Sequence, residues 1–179
     1  MAEVEIRPVV STDIPTLLQF DHSCETTNVW QLESSSPGDR YDLHLSRIRL
    51  PRTLKLNYPR PYDSLKFNWK DHLLFLVARC EGNVVGYLVL DEKNEYDSAV
   101  LKDLVVSTPL RRQGIGTALV LAAQDWLKRN GISRMVIEVP AKNHAMIQLA
   151  RKLQFVFSGF ADNYYANRDI AFFFVNMMR

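Results

Sequence analysis

The alternation of hydrophobic and polar positions predicts that strands and helices follow one another along this chain. A strand over residues 4–9 precedes a helix that begins after residues 11–13, whose Ser, Thr and Asp are good caps. The pattern leaves open whether that helix extends through residues 21–24. The stretch from residue 25 to 70 is less regular, and its alternation predicts short strands at residues 28–33, 41–50 and 54–58.

The periodicity becomes clearer at residue 73. Strands over residues 73–79 and 84–90 flank Glu81-Gly82-Asn83, which has the spacing and turn chemistry of a β-hairpin. A polar loop over residues 91–97 separates this hairpin from a third strand at residues 98–106. Three antiparallel strands are therefore predicted to lead into the turn that follows residue 106.

The last third of the chain alternates helix and strand. One apolar helical face ends at the stop signal Asn130-Gly131, and a second apolar stripe follows Asn143, a residue type that commonly caps helices. The first face consists of Ile115, Ala118, Leu119, Ala122 and Trp126, and the second of Met146, Leu149, Ala150 and Leu153. The predicted strands are residues 134–139, 155–160 and 170–177, the last two separated by a polar loop that contains Tyr164 and Tyr165.

Composition places the chain among ordinary globular proteins. Its 179 residues suit one domain with a substantial core, and 47% hydrophobic residues are normal. A formal net charge of +2 without a long basic run argues against nucleic acid, and no apolar stretch could span a bilayer. The first ten residues do not resemble a signal peptide, Cys24 and Cys80 are expected to be free thiols, and no Cys/His pair has metal-ligand spacing. We therefore expect a cytoplasmic protein of one domain, residues 1–179, without a metal.

The turn between the third strand and the long helix has the chemistry of an anion site. The first four amides of a helix have no intrahelical partner and carry partial positive charge. Gly114 and Gly116 leave the backbone open to a phosphate, and Arg111 and Arg112 add charge beside it. The chain has no Walker string, and GxGxxL lacks the third glycine of a Rossmann fingerprint. The turn does fit the pattern RxxGxG.

This RxxGxG turn, with a strand before it and a helix after it, resembles the acetyl-CoA loop of the GNAT superfamily of N-acetyltransferases. Family members similar to ribosomal-protein alanine acetyltransferases share a second pattern, E-V-x-x-x-N-x-x-A/S-x-x-L-Y-x-x-x-G-F, matched here by Glu138, Val139, Asn143, Leu149 and Phe155. Gln154 stands in place of the glycine. The paired tyrosines before the last strand also look like streptothricin acetyltransferases. The resemblance implies an α/β fold with a mixed, mostly antiparallel central sheet of about seven strands, splayed between the fourth and fifth, and helices on both faces.

The resemblance also implies where acetyl-CoA binds as the co-substrate. The loop amides would hold its pyrophosphate, and the strand before the loop would offer backbone groups to the pantetheine arm. Asn143 would hydrogen-bond that arm, serve only as a helix cap, or do both. The coenzyme-binding residues are then Leu104, Val105, Val106, Arg111, Arg112, Gln113, Gly114, Ile115, Gly116, Thr117 and Asn143.

Acetyl transfer to an amine needs a base, since an alkylammonium has a pKa of about 10. Glu138, in an otherwise apolar strand, is the best candidate and Asp103 the second, although either could instead form a structural ion pair. Ala150 stands where the family has the tyrosine that protonates the leaving thiolate. Tyr164 or Tyr165 could reach in from the loop, or a water could serve. A thiol with a pKa of about 8.5 could also leave without an acid.

We therefore expect an N-acetyltransferase that moves an acetyl group to the primary amine of a small molecule, antibiotic-like or polyamine-like, by direct attack on the thioester. Alternatives are a module that binds acetyl-CoA without transfer, because of Ala150, and a protein N-terminal or lysine acetyltransferase. The apolar C-terminal strand would suit a homodimer. The divergent segment 25–70 is expected to determine the acceptor. Its basic side chains are expected on the solvated face of a hairpin, with contact to an anion as the alternative: Arg47, Arg49, Arg52, Lys55 and Arg60.

Overall fold

The structure, a computed structural model, describes residues 4–93 and 97–178, which form nine strands and four α-helices. In chain order they are β1 (Val4–Pro8), α1 (Ile14–Leu18), β2 (Cys24–Ser35), β3 (Asp42–Leu56), α2 (Leu65–Asn68), β4 (Leu74–Cys80), β5 (Asn83–Lys93), β6 (Ser98–Val106), α3 (Ile115–Arg129), β7 (Arg134–Pro140), α4 (His144–Lys152), β8 (Val156–Ala161) and β9 (Ala171–Met177). None of these helices is long and apolar enough to cross a membrane.

Seven of the strands form the central sheet, in the order β1-β4-β5-β6-β7-β9-β8. Every neighbouring pair is antiparallel except β6 and β7, the fourth and fifth strands in this order, which are parallel. Pairing between these two strands runs only from Ser98–Arg134 to Leu101–Ile137, and the strands separate beyond it. We call this point, where Lys102 and Glu138 come next on either side, the fork. The expected mixed sheet with a splay between its fourth and fifth strands is confirmed.

Helices cover both faces of the central sheet, as expected. The helices α3 and α4 pack on one face, where Leu119, Leu127 and Ile147 join the main hydrophobic core. The helices α1 and α2 pack on the other face, around a second cluster that includes Leu17 and Leu65. The helices α3 and α4 are therefore held by apolar stripes that face the sheet, as the periodicity predicts, whereas α2 was not predicted from the sequence.

A β-bulge at Lys102 changes which side chains of β6 face which layer. Val89 pairs with Asp103 while Leu90 pairs with Leu101, so Lys102 is an extra residue in β6. Before the bulge Leu101 faces the α3 side, whereas after it Val105 faces the α1–α2 side. Bulges redirect side chains in this way. The bulge therefore turns Asp103 toward the α1–α2 face, which is also the face of Glu138, since its neighbours Ile137 and Val139 belong to the α3–α4 core.

The structure decides one boundary that the pattern left open and corrects two others. The helix α1 ends at Leu18, so residues 21–24 do not extend it, and β2 begins at Cys24. The short strands predicted at 41–50 and 54–58 are one strand, β3, because Pro51 lies in a two-stranded ribbon where an unpaired edge tolerates proline. β5 continues to Lys93 into the predicted loop 91–97, of which residues 94–96 lie outside the described residues.

The strands β2 and β3 form a separate two-stranded sheet, which we call the ribbon. An isolated two-stranded hairpin is marginally stable and needs packing against other elements. The Trp30 amide of the ribbon donates to Ala141 O at 3.0 Å, and its indole Nε1 donates to His144 Nδ1 at 3.2 Å. The Arg151 guanidinium lies 5.8 Å from the Trp30 ring centroid. The ribbon thus joins α1, on one side of the fork, to the start of α4 on the other.

A bidentate ion pair fixes the start of α1 against β1. Arg7 donates to both carboxylate oxygens of Asp13 at 2.8 Å, and the Val10 amide donates to Asp13 at 2.9 Å. Asp13 is only 5% exposed. Burial by itself would raise the pKa of Asp13, but the hydrogen bonds from Arg7 and from the Val10 amide outweigh it and lower the pKa.

We predict that Asp13→Asn lowers the free energy of unfolding at pH 7 by about 2–3 kcal/mol, because it leaves the Arg7 guanidinium without its counter-charge. The lowered pKa means that this contribution is complete above the unfolded value of about 3.9 and is lost as the pH falls through the folded value. Urea unfolding of both proteins at pH 7 and pH 3 should show the difference shrinking at the lower pH. The exposed control Asp39→Asn should change little, and an undiminished difference at pH 3 would contradict the assignment.

Candidate active site

The backbone amides in the turn between β6 and α3 have no hydrogen-bond acceptor within the described part of the chain. Gly114 caps α3 with a left-handed φ of 91°, and no side chain caps this helix. The first backward bond in the helix runs from the Ala118 amide to Gly114 O at 2.9 Å. The amides of residues 112–117 donate to no acceptor within residues 4–93 and 97–178. A helix start in this condition is an anion site.

Arg111 holds this turn in place rather than facing a ligand. Its Nε donates to Val106 O at 2.9 Å and its Nη1 to Ser23 O at 2.7 Å, while Nη2 donates to Asp21 O. The guanidinium therefore joins the end of β6 to the segment between α1 and β2. Its charge stays beside the anion site, but its donors are used within the protein.

A cavity of about 560 Å³ extends from the turn along the end of β6 toward α4 and the ribbon. Its wall includes ten of the eleven residues expected to bind the coenzyme, and the exception is Gln113. The Gln113 side chain instead donates to Pro109 O at 3.3 Å. These ten are Leu104, Val105, Val106, Arg111, Arg112, Gly114, Ile115, Gly116, Thr117 and Asn143. The turn and α4, distant in sequence, thus face the same space.

Asn143 is the N-cap of α4. Its Oδ1 accepts from the Met146 amide at 3.1 Å, which satisfies one of the unpaired amides at the helix start. The residue also lines the cavity. Its side-chain nitrogen has no acceptor within the described residues and remains free to donate to a ligand. The two roles expected for Asn143 are therefore compatible.

Glu138 lies at the fork, on the opposite face from α3. Its side chain is only 8% exposed, and its Oε2 accepts from Tyr164 Oη at 2.9 Å. The Arg60 guanidinium approaches the same oxygen at 3.4 Å and also donates to Lys102 O, the carbonyl at the bulge. Arg60 thus spans the fork from β6 to β7, and its expected place on a solvated hairpin face was wrong. Oε1 of Glu138 has no hydrogen-bond partner among residues 4–93 and 97–178.

Of the two tyrosines predicted as acids, only Tyr164 bonds to Glu138. Burial, and then this hydrogen bond, raise the pKa of the Tyr164 phenol, so it stays protonated at neutral pH. Tyr165 is 7% exposed, and its Oη has no partner in the described part of the chain. Ala150 is fully buried in the α3–α4 core, so that position holds only core packing.

Asp103, the second candidate base, belongs to a polar group at the fork that includes Tyr58 and His22. Tyr58 donates to Asp103 Oδ1, and Tyr58 also lines the cavity. Beside it, His22 stacks on Tyr62 at 3.8 Å between ring centroids and contacts Tyr87 Oη through Nε2 at 2.9 Å. Burial lowers the pKa of His22 and raises that of Tyr58. Sequence reasoning missed the role of His22, because the contacts that bring it to Tyr58 and Tyr87 join residues far apart in the chain.

The chain belongs to the GNAT acetyltransferase family: residues 43–155, more than half of its length, match that family. Over 73 residues it is 36% identical to the ribosomal protein bS18-alanine N-acetyltransferase of Escherichia coli K12. That match covers 41% of this chain and 49% of the bacterial enzyme, so the chain spans about half the length of the curated relatives it matches. The family expected from the RxxGxG turn is confirmed.

Solved structures with the same fold include acetyltransferases of two kinds of acceptor. A nourseothricin acetyltransferase superposes with a TM-score of 0.80 at 20% identity, over 98% of this chain and 99% of that one. A protein described as a streptothricin acetyltransferase from Bacillus anthracis, solved with acetyl coenzyme A, gives 0.76 at 20% identity and the same coverage. The ribosomal-protein-S18-alanine N-acetyltransferase of Escherichia coli gives 0.69 at 20% identity, over 98% and 94%. These likenesses show the fold.

The residues at the turn fit the pyrophosphate of acetyl-CoA. An added Cβ at Gly114 would meet nothing within 4 Å, so the approach to the backbone is open on that side. At Gly116 a Cβ would touch Leu104, Val106 and Leu149 at 3.7–3.9 Å, and all three side chains line the cavity. Both glycines thus leave space beside amides that have no acceptor.

We predict that Gly114→Ala weakens acetyl-CoA binding by about tenfold or more, because a displaced amide loses a charged hydrogen bond worth about 1.5–3 kcal/mol. Gly38 is a matched control, since its φ of 62° is also left-handed and it too has open space around it. Both substitutions should lower stability by about 1–2 kcal/mol through backbone strain. Calorimetric titration with acetyl-CoA should separate them. Equal affinity in the two variants would remove the turn from the binding site.

Proposed function

We propose that this protein is an acetyl-CoA-dependent N-acetyltransferase acting on a primary amine of a small cationic molecule. The observation that carries the proposal is the set of amides at the start of α3 that have no acceptor within the described residues and border the cavity. Glu138, a buried carboxylate, lies on β7 two residues before Pro140, which lines the same cavity. An anion site at the cavity and a carboxylate on the adjoining strand suit a coenzyme and an amine that meet between them.

The residues on either side of the fork have distinct roles in this proposal. Acetyl-CoA, when bound, supplies an acetyl group activated as a thioester. The amides of residues 112–117 hold its pyrophosphate, and β6 beyond Leu101 offers backbone groups that β7 does not pair with. Glu138 Oε1 takes the proton that the amine must lose, directly or through a water. Tyr164 keeps the carboxylate oriented through its bond to Oε2.

The charges and the ribbon both favour a small cationic acceptor. The α1–α2 face of the fork carries the carboxylates of Glu138 and Asp103, whereas basic side chains line the coenzyme side, among them Arg112 and Lys152. The bonds from Trp30 to Ala141 and His144 hold the ribbon across the cleft and limit access for a folded chain. Nourseothricin and streptothricin acetyltransferases share this fold over nearly their whole lengths.

An N-terminal amine of a protein is the second candidate acceptor. It is favoured by the 36% identity over 73 residues to an enzyme that acetylates an alanine of ribosomal protein bS18. An extended N-terminal peptide could thread past the ribbon where a folded surface could not. A module that binds acetyl-CoA without transfer is the third, favoured by the absence of a tyrosine at Ala150.

The first experiment separates these candidates. Acetyl-CoA should bind in a calorimetric titration, and release of free thiol should be followed with spermidine, streptothricin and a peptide that begins with alanine. We expect turnover with at least one of the two small amines and little with the peptide. Turnover of the peptide alone would favour the second candidate, binding without any turnover the third, and no binding would remove all three.

We predict that Glu138→Gln lowers kcat by about 10²–10⁴ with the acceptor found above, because an amide cannot take the amine's proton. Affinity for acetyl-CoA should be unchanged, since Glu138 does not line the cavity. Glu33→Gln, an exposed position on β2, is the matched control and should keep full activity. Full activity of Glu138→Gln would rule out the assigned base.

We further predict that Tyr164→Phe lowers kcat by about tenfold, because a hydrogen bond to a charged group is worth about 1.5–3 kcal/mol. Tyr165→Phe should cost less, because the Tyr165 hydroxyl contacts no partner in the described residues. Steady-state kinetics of both variants provide the comparison. A larger loss for Tyr165→Phe would reverse the roles of the two tyrosines.

A further inference from the structure

Arg60 occupies the position at the fork that best suits a cation. Its guanidinium donates to Lys102 O on β6 and approaches Glu138 Oε2 on β7 at 3.4 Å. These two oxygens belong to the first residues beyond the last β6–β7 pair, Leu101 with Ile137. A carbonyl and a buried carboxylate that face each other across a gap form a site for a guanidinium or an ammonium group.

The Glu138 carboxylate is also the group that an acceptor amine must approach, since Glu138 is the proposed base. An arriving amine is protonated at neutral pH and would be attracted to the carboxylate that Arg60 now neutralises. Both cations cannot contact Glu138 Oε2 together with Tyr164 without crowding and like-charge repulsion. Binding of the acceptor beside Glu138 therefore competes with the Arg60 contact.

The segment that carries Arg60 is attached by side chains rather than by its backbone. We call residues 57–61, which follow β3, the crossing segment. No backbone–backbone hydrogen bond joins residues 57–61 to any other described residue. The crossing segment contains Pro59 and Pro61, and its side chains bond to Asp103 through Tyr58 and to both strands of the fork through Arg60. Tyr58 also packs against His22 and Tyr62, and Ser64 Oγ donates to Pro61 O at 3.2 Å. Segments with few backbone bonds open at low free-energy cost.

The Arg60–Glu138 contact is itself weaker than a fixed ion pair would be. It involves one nitrogen and one oxygen at 3.4 Å, whereas the Arg7–Asp13 pair in the same protein is bidentate at 2.8 Å. The Arg60 side chain is also 23% exposed, so water reaches it. Arg60 can therefore leave the fork when another cation takes its place beside the buried Glu138 carboxylate.

We propose that Arg60 stands in for the acceptor's cationic group at the fork and that the acceptor displaces it, which makes Arg60 a specificity-determining residue. This inference rests on the proposed function of Glu138. Only a ligand with an ammonium or guanidinium group can replace what Arg60 contributes to the Lys102 carbonyl and the Glu138 carboxylate. A neutral amide or alcohol would leave both oxygens without a counter-charge, which excludes it energetically.

The test uses methylguanidinium chloride as a probe, without acetyl-CoA, so that its outcome does not depend on turnover. We expect Arg60→Ala to bind methylguanidinium about tenfold or more tightly than the wild type, because the internal competitor is gone. Arg60→Ala/Glu138→Gln should lose this binding. Arg52→Ala, an exposed arginine on the ribbon, removes the same charge and should behave as wild type. Equal affinity of Arg60→Ala and wild type, or no binding by a folded Arg60→Ala, would overturn the proposal.

A second measurement tests whether Arg60 is a displaceable cation or a fixed structural link between β6 and β7. In Arg60→Ala, acetyl-CoA hydrolysis without an amine should rise, since water can now reach Glu138, attack the thioester carbon and leave acetate and the free thiol. Methylguanidinium should suppress this hydrolysis again. If Arg60 were only a structural link, acetyl-CoA hydrolysis would not rise in Arg60→Ala and methylguanidinium would have no effect on it. If these tests fail while every variant still binds acetyl-CoA normally, the inference about Arg60 is wrong and the proposed function is unaffected.

Discussion

The early end of the pairing between β6 and β7 is the constraint on which the rest of the structure depends. The two parallel strands share register only up to Leu101 and Ile137 and then separate. Beyond that point β6 still pairs with β5 and β7 with β9, but the edges of β6 and β7 that face each other have no partner strand, and an unpaired buried backbone group is costly. The structure answers this in part with Arg60, which contacts both strands across the opening, and leaves the remainder as a cleft.

Each wall of the cleft is supported by contacts from a different part of the chain. The Arg111 guanidinium connects the end of β6 to the segment before β2 through three carbonyl oxygens. Trp30 connects the ribbon to the end of β7 and the start of α4. The ribbon therefore serves both walls, although it lies outside the central sheet. This arrangement explains how a segment of irregular sequence, residues 25–70, can line the site although it adds only partly buried side chains, such as Trp30 and Leu45, to the main core.

The charges around the cleft are divided between its two sides, and this division follows the bulge at Lys102. The bulge turns Asp103 to the same face as Glu138, while Leu104 and Val106 keep their places against the α3 side. Without the extra residue the parity of β6 would be reversed, and the aspartate would face the hydrophobic core. A single inserted residue thus separates a carboxylate-rich face from the side where the helix start attracts anions.

Local sequence determined the elements with strong periodicity and the anion-binding turn, whose functional residues are neighbours in the chain. The amphipathic pattern of α3, the hairpin at Gly82 and the turn with Gly114 and Gly116 are each written in consecutive residues, so a prediction from sequence reached them. The family followed from the same turn, because its glycines and arginine have a fixed spacing. Only the tertiary structure decided the length of β3, the buried place of Arg60 and the choice of Tyr164 over Tyr165 beside Glu138. These depend on register, on a bulge and on contacts between residues that lie 26 and 78 positions apart, as Tyr164 and Arg60 do from Glu138. Such contacts produce no repeating pattern in a single sequence, because they depend on packing and charge pairing between segments that meet only in the folded chain.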